Sequence, residues 1–230
     1  MKINYCLPII QKDKQKIFDL IKKNQKEYQY FEVWLDYIEN LDEAFITKIT
    51  TMLQERLILL FRRKNLEPIH MDSEDRINLI PIISKSESYL DLDISQEEEL
   101  HYLQDTELHI HLILSYHNYQ KTPENEEIQD ILLDMEKYRP MIYKIATTCN
   151  DETDAVRLLQ FQKLLASQKK KHIILGMGKF GTITRVFGTL WGNEMIFAPK
   201  TKEEQSAPDQ LTKQELEKIF ETLSHESKNT

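Results

Sequence analysis

Two residues of this 230-residue chain, His117 and Lys144, have the types and spacing of a proton carrier and an amine nucleophile. Lys144 stands among apolar neighbours, and lysine is almost never fully buried without a reason. Burial and nearby cations would lower the pKa of such an amine and make it nucleophilic enough to form an imine. A histidine beside it could move protons near neutral pH. The alternative is structural, a lysine that reaches solvent or pairs with a carboxylate.

A third candidate, Arg185, follows the glycine-rich stretch GMGKFGTITR, and all five glycines of the chain lie between Gly176 and Gly192. Such clustering marks backbone that passes close to a ligand or to other backbone. The spacing is not GxxxxGK[ST], so the stretch is a poor predictor of nucleotide binding. We expect Arg185 at the start of the next helix, where it could clamp a carboxylate or be an ordinary surface arginine. Beyond it, we expect Gly188 and Gly192 to allow close packing.

Eight short apolar runs, each followed by a charged segment of helical period, must position these residues. The runs are INYCLPII, YFEVWLDYI, RLILLFRR, SYLDLDI, HIHLILSYH, MIYKIATTC, HIILGMG and EMIFAPK. Strands that are apolar on both faces and alternate with helices predict a parallel sheet. Eight such units in about 230 residues predict an α/β fold, the (β/α)8 TIM barrel, with a doubly wound open sheet as the alternative. In a barrel, chemistry belongs at the C-terminal ends of the strands.

Two of the intervening helices carry recognisable starting signals. Thr122 and Pro123 are expected as the cap and first-turn residue of one helix. Thr212 and Glu215 have the spacing of a capping box for the last helix. No shift in composition marks a linker, so we expect one domain over residues 1–230, with a flexible tail from about residue 225.

Composition and spacing also argue against several classes of function. A net charge of −8 argues against nonspecific binding to nucleic acid or anionic membranes. No run approaches the roughly 20 apolar residues that span a bilayer, and no signal peptide is recognisable, so we expect a cytoplasmic protein. Cys6 and Cys149 lack a metal-binding spacing and are expected as free thiols rather than as a disulfide. His109 and His111 resemble a metal-binding pair but lie about 20 Å or more before His117 along a strand.

Four sequence blocks, in this order, resemble type I 3-dehydroquinate dehydratase, a Schiff-base enzyme of the shikimate pathway. They are LSYHNYQKTP, KIATT, MGKFGTITRVFG and SAPDQLTKQEL, which lie within residues 112–223. The interval of 27 residues from His117 to Lys144 also agrees with the family. In the first half, FEVWLDYI is similar to the family's Glu-x-Arg-x-Asp strand and LLFRR to its third strand.

The resemblance implies a homodimeric barrel that dehydrates 3-dehydroquinate to 3-dehydroshikimate without metal or cofactor, with this small molecule as its substrate. Lys144 would attack the ketone to form the imine, and His117 would take the acidified proton and help expel the hydroxyl as water. The residues implied to contact the substrate are Arg185 at the carboxylate, Glu32 and Arg62 at ring hydroxyls, Met177 near the imine, and Ser206 and Gln210 in a loop that closes over the site.

The chain departs from the family's pattern at several substrate-binding positions. Trp34 stands where the family has arginine, and Asp209 stands where glycine is usual in the closing loop. The family's histidine-orienting glutamate corresponds to Glu67, but Pro68 replaces a glycine and the register from Arg62 is off by one. Trp34 favours the alternative of another Schiff-base lyase or aldolase acting on a different hydroxy-keto acid. A barrel that has lost catalysis and serves in binding is a further alternative.

Overall fold

The computed structural model describes residues 3–62, 71–106, 108–207 and 209–225. Within these ranges the strands are β1 Tyr5–Ile9, β2 Tyr30–Trp34, β3 Leu57–Leu60, β4 Tyr89–Asp93, β5 His111–Asn118, β6 Ile142–Thr148, β7 His172–Met177 and β8 Ile196–Phe197. The helices are α1 Lys14–Asn24, α2 Glu43–Leu53, α3 Ser73–Ile83, α4 Glu97–Asp105, α5 Asn125–Glu136, α6 Glu152–Ser167, α7 Gly178–Trp191 and α8 Lys213–His225. Each apolar run of the sequence matches one of these strands, with β5 extending one residue beyond its run, which confirms the predicted alternation. The tail predicted to be flexible lies almost wholly outside the described residues.

The strands form one parallel sheet in the order β7-β6-β5-β4-β3-β2-β1-β8. Asn193 bridges the seam between β7 and the segment before β8: its side chain accepts from the Ile174 N–H at 2.8 Å and donates to the Ile174 carbonyl at 2.9 Å. The Glu194 N–H also donates to the His172 carbonyl at 3.0 Å. The sheet is therefore nearly closed, and the (β/α)8 TIM barrel is confirmed over the open doubly wound sheet.

Aspartate side chains begin four of the helices and fix the loops that precede them. Each accepts a hydrogen bond from the backbone N–H three residues later, at 2.7 to 3.0 Å; they are Asp13, Asp42, Asp72 and Asp151. The predicted capping box of α8 is confirmed, because Glu215 accepts from the Thr212 N–H at 2.8 Å and its own N–H donates to Thr212 Oγ1 at 3.3 Å.

The predicted start of α5 is wrong, because the helix begins at Asn125 with Glu124 as its N-cap. Thr122 Oγ1 instead lies 2.9 Å from Thr147 Oγ1 and donates to the Thr148 carbonyl at 3.0 Å. The hydroxyl that we expected to cap the helix therefore ties the loop after β5 to the end of β6.

Two buried apolar clusters fill the fold on either side of the sheet. The larger lies between the strands and the helices, and the smaller lies inside the barrel, with Ile58, Ile113 and Ile173 among its members. Cys6 and Cys149 are buried free thiols, and burial raises the pKa of Cys149 to about 11. No helix in the described ranges is long and apolar enough to span a membrane.

Gly176 and Gly181 mark the place where β7 and α7 meet at backbone distance. A Cβ added to Gly181 would lie 2.3 Å from the carbonyl carbon of Gly176, far inside any contact that real side chains make. Gly178, between them, has φ +76°, which glycine adopts at little cost. The predicted close packing is confirmed at Gly188. At Gly192 the prediction is wrong, because an added Cβ would meet no described atom within 4 Å, and the residue instead has φ +120°.

Gly181→Ala should reduce the free energy of unfolding by about 3 kcal/mol or more, because the methyl group forces β7 and α7 apart. Gly192→Ala is the matched control, since it adds the same methyl group without a clash among the described residues. Only its positive φ is strained, at about 1 to 2 kcal/mol. Urea unfolding of both variants measures the difference, and equal losses would contradict the close approach.

Candidate active site

A cavity of about 390 Å³, counted with its mouth open to solvent, is lined by residues from the C-terminal ends of the strands and the loops that follow. Trp34, Tyr119 and Phe197 contribute aromatic wall. Of the eight residues that the sequence analysis assigned to catalysis or substrate binding, seven line this cavity: Lys144, His117, Arg185, Glu32, Met177, Ser206 and Gln210. The fold therefore brings together groups that lie up to 178 residues apart in sequence (210 − 32).

Lys144 lies in the middle of β6 and is 4% exposed. Its Nζ lies 2.6 Å from Asp91 Oδ2 and 3.5 Å from Glu32 Oε1, and 4.6 Å from the centre of the Phe197 ring. We expected nearby cations from the sequence, whereas both of these ion-pair partners are carboxylates. Lys144 is thus paired with carboxylates, as the structural alternative predicted. The same contacts hold its amine at the cavity wall.

Asp91 is a buried carboxylate that the sequence analysis missed. It is fully buried, and its Oδ1 has no hydrogen-bond partner among the residues that the structure describes. The available signal was the strand sequence YLDLD, in which Asp91 and Asp93 stand on either side of Leu92. Residues i and i+2 of a strand point to the same face, so this spacing places two carboxylates on one face of β4.

His117 lies near the end of β5, two residues beyond Ser115, which is paired in register with Lys144. Its Nδ1 lies 2.8 Å from Asp93 Oδ2, and both side chains are only 4% exposed. Asp93 is therefore a second carboxylate that sequence reasoning missed. Glu67, which the resemblance suggested as the orienting group, lies outside the described residues.

His109 and His111 lie at the opposite end of the barrel, as predicted. His111 is the first residue of β5 and His117 the seventh, and the rings of His109 and His111 are 5.6 Å apart. In the described parts of the chain, no group of three His, Cys, Asp or Glu residues is arranged to hold a metal ion.

Arg185 is the eighth residue of α7, so its predicted place at the start of that helix is wrong. It is 3% exposed, and its Nη2 has no hydrogen-bond acceptor among the described residues. Burial lowers the pKa of Arg185 to about 10. A buried guanidinium N–H without an acceptor is costly, and the planar fork of the group matches a carboxylate, so this wall of the cavity can bind an anion.

Trp34 occupies the place of the family's arginine, and its indole Nε1 donates a hydrogen bond to Glu32 Oε2 at 2.9 Å. The guanidinium carbon of Arg62 lies 5.4 Å from the centre of the Trp34 ring and 4.3 Å from that of Tyr37. Arg62 is the one predicted binding residue that is not among the described residues lining the cavity. It contacts the indole that forms the wall instead.

Ser206 and Gln210 contact each other at the cavity. Gln210 Oε1 accepts hydrogen bonds from the Ser206 N–H at 3.0 Å and from Ser206 Oγ at 3.3 Å. Asp209 between them has φ +54°, in the left-handed region that glycine adopts most readily and that aspartate tolerates. This conformation gives a physical reason for the glycine that is usual at the position in the resembled family.

Comparisons of the sequence with known proteins point to one family. The sequence model of type I 3-dehydroquinase matches residues 5–227. The 3-dehydroquinate dehydratase of Methanopyrus kandleri is 30% identical over 197 residues, 84% of this chain and 86% of that protein. The enzyme of the same name from Methanococcus maripaludis strain C5 is 27% identical over 222 residues, 95% of this chain and 99% of that one.

Solved structures show the same likeness in fold. The 3-dehydroquinate dehydratase of Geobacillus kaustophilus superposes with a TM-score of 0.82 at 22% identity, over 98% of this chain and 92% of that one. The type I enzyme of Clostridium difficile, solved with covalently modified comenic acid, gives a TM-score of 0.78 at 24% identity, over 98% of this chain and 94% of that one.

Proposed function

The chain belongs to the type I 3-dehydroquinase family, and from that premise we propose that it dehydrates 3-dehydroquinate to 3-dehydroshikimate through an imine on Lys144. The observation that carries the proposal is that an amine, an imidazole and a buried guanidinium line one cavity: Lys144, His117 and Arg185. These are the groups needed to attack a ketone, move a proton and hold a carboxylate.

The contacts of Lys144 with Asp91 and Glu32 favour its charged ammonium form. Imine formation must therefore begin with the loss of a proton from that ammonium. Asp91 Oδ2, at 2.6 Å, is placed to accept that proton. The neutral amine then adds to the ketone carbon, and Asp91 returns its proton to the oxygen of the resulting carbinolamine, which leaves as water. The resulting protonated imine withdraws electrons from the neighbouring carbon–hydrogen bond, which becomes acidic.

Elimination follows from this acidity. His117 accepts the proton, and the electron pair of the broken bond moves toward the imine nitrogen to give an enamine. As that pair returns, the neighbouring carbon–oxygen bond breaks, and the imidazolium gives its proton to the departing hydroxyl, which leaves as water. A second water hydrolyses the imine, releases the product and restores Lys144, so the net change is the loss of one water.

Substrate binding is assigned to the remaining lining residues. Arg185 would hold the carboxylate, Glu32 a ring hydroxyl, and Met177 would pack beside the imine. Ser206 and Gln210 would cover the ring from the loop after β8. Arg62 stays the second candidate to hold a ring hydroxyl, and its guanidinium also supports the Trp34 wall.

Replacing Arg185 with glutamine should raise the KM for 3-dehydroquinate by about 10- to 100-fold, which is the value of one or two charge-assisted hydrogen bonds. The KM of Arg185→Lys should lie between those of Arg185→Gln and the wild type, because lysine keeps the charge and loses the planar fork. Steady-state kinetics measure both effects. A KM within about twofold of wild type in Arg185→Gln would contradict the carboxylate assignment.

Turnover is tested directly by mixing the purified protein with 3-dehydroquinate and following the absorbance of the conjugated enone product.

Trp34 favours a second candidate substrate, a different hydroxy-keto acid, because an indole and not an arginine lies against Glu32. Absence of enone formation from 3-dehydroquinate, together with turnover of another hydroxy-keto acid, would favour that candidate.

A homodimer and a cytoplasmic location, both expected from the sequence, stay predictions and are part of this proposal. Exposed apolar side chains on α6 and α7, Val156, Leu164, Ile183 and Trp191, are available for contact with a second copy.

A further inference from the structure

We propose that Asp93 is a positioning residue for His117: by accepting the proton of Nδ1, it fixes the ring so that Nε2 is the atom that takes the substrate's proton. The inference deepens the proposed function and rests on it. Its basis is the contact of 2.8 Å between Asp93 Oδ2 and His117 Nδ1, made by two side chains that are each 4% exposed.

The contact determines which ring nitrogen carries the proton. An ionised carboxylate can only accept hydrogen bonds, so the nitrogen that it contacts must be the donor. A neutral imidazole has one N–H, and when that proton is on Nδ1 the lone pair is on Nε2. His117 lies in the cavity lining, and Nε2 then carries the lone pair that can accept a proton.

Asp93 is itself held in place by the loop between β4 and α4. Its Oδ1 accepts hydrogen bonds from the N–H of Ser95 at 3.1 Å and from Ser95 Oγ at 2.7 Å. Its own N–H donates to Gln96 Oε1 at 2.8 Å. Because Oδ1 accepts hydrogen bonds from Ser95, Oδ2 is the oxygen that faces His117. A carboxylate on β4 therefore sets the orientation of the imidazole ring on β5.

The same contact serves the charged state of the ring. When His117 takes the substrate's proton it becomes an imidazolium, and a buried carboxylate beside it stabilises that cation in surroundings of low dielectric. Among the described residues, the carboxylate that makes this contact belongs to β4, the strand next to β5.

Asp93→Asn is the sharpest test, because the amide keeps the shape of the carboxylate and can donate to Nδ1, which moves the ring proton to Nε2. We expect kcat for 3-dehydroquinate to fall by about 10²- to 10⁴-fold, in the range of general acid–base catalysis, while KM changes by less than about threefold. Asp93→Glu should recover part of the lost kcat. Asp105→Asn, an exposed aspartate at the end of α4, is the matched control and should behave as wild type.

Nitrogen-15 NMR of the His117 side chain, recorded where the ring is neutral, gives a readout that does not need turnover. The proton is expected on Nδ1 in the wild type and on Nε2 in Asp93→Asn. A wild-type proton on Nε2, or an Asp93→Asn variant with unchanged kcat, would overturn the inference. If the wild type fails to dehydrate 3-dehydroquinate, the proposed function fails, while the tautomer still decides whether Asp93 sets the ring.

Discussion

Replacing Lys144 with alanine should reduce turnover of 3-dehydroquinate by about 10⁴- to 10⁶-fold, the range seen when a covalent enzyme loses its nucleophile. No other lysine is among the residues described as lining the cavity, so no neighbouring amine is placed to replace it. Steady-state kinetics, followed by the enone absorbance, measure the loss. Lys179→Ala is the matched control, because Lys179 is exposed on α7 just beyond the site. This variant should keep wild-type turnover.

The same substitution should also destabilise the protein, by roughly 3 kcal/mol, because it leaves the buried carboxylates of Asp91 and Glu32 without their cation. A double variant, Lys144→Met with Asp91→Asn, removes the amine and one of the two charges together. It should recover much of the stability and none of the activity. Recovery of activity with stability would contradict a chemical role for Lys144.

Replacing His117 with alanine should slow elimination by at least about 100-fold, the lower range for lost general acid–base catalysis, while the imine still forms. The reason is that Lys144 keeps its place on β6 and its contacts with Asp91 and Glu32, whereas the acidified carbon–hydrogen bond loses its base. Rapid-quench experiments with borohydride measure the imine, and enone absorbance measures elimination.

His109→Ala is the control for this variant, because it removes an exposed imidazole just before β5, at the other end of the barrel. Its turnover should equal that of wild type. Near-normal elimination in His117→Ala, or an equal loss in His109→Ala, would contradict the assignment of the base.

The barrel could be predicted from sequence because burial on both faces makes each parallel strand an apolar run. The runs of β5 and β6 place His117 and Lys144 on neighbouring strands, and the glycines place the turn from β7 to α7. Arg185 was misplaced within α7 because the length of β7 and the first residue of a helix depend on the close approach of Gly176 and Gly181. That approach is a tertiary contact, which local sequence does not encode.

The carboxylates around the site were the larger omission. Asp91 and Asp93 interrupt a leucine-rich strand, but only the barrel's geometry shows that Asp91 reaches Lys144 two strands away and that Asp93 reaches His117 on the next strand. From sequence alone, Trp34 also suggested that a substrate contact made by the family's arginine is lost. In the fold its indole makes a hydrogen bond to Glu32, and the guanidinium carbon of Arg62 lies 5.4 Å from the ring centre, so an aromatic side chain forms this wall of the cavity.

Reduction with borohydride in the presence of 3-dehydroquinate, followed by mass spectrometry of the peptides, tests the central claim most directly. The account predicts a covalent adduct on the peptide that carries Lys144, formed only when substrate is present and lost in Lys144→Ala. An active protein that gives no adduct, or an adduct on another lysine that persists in Lys144→Ala, would contradict it.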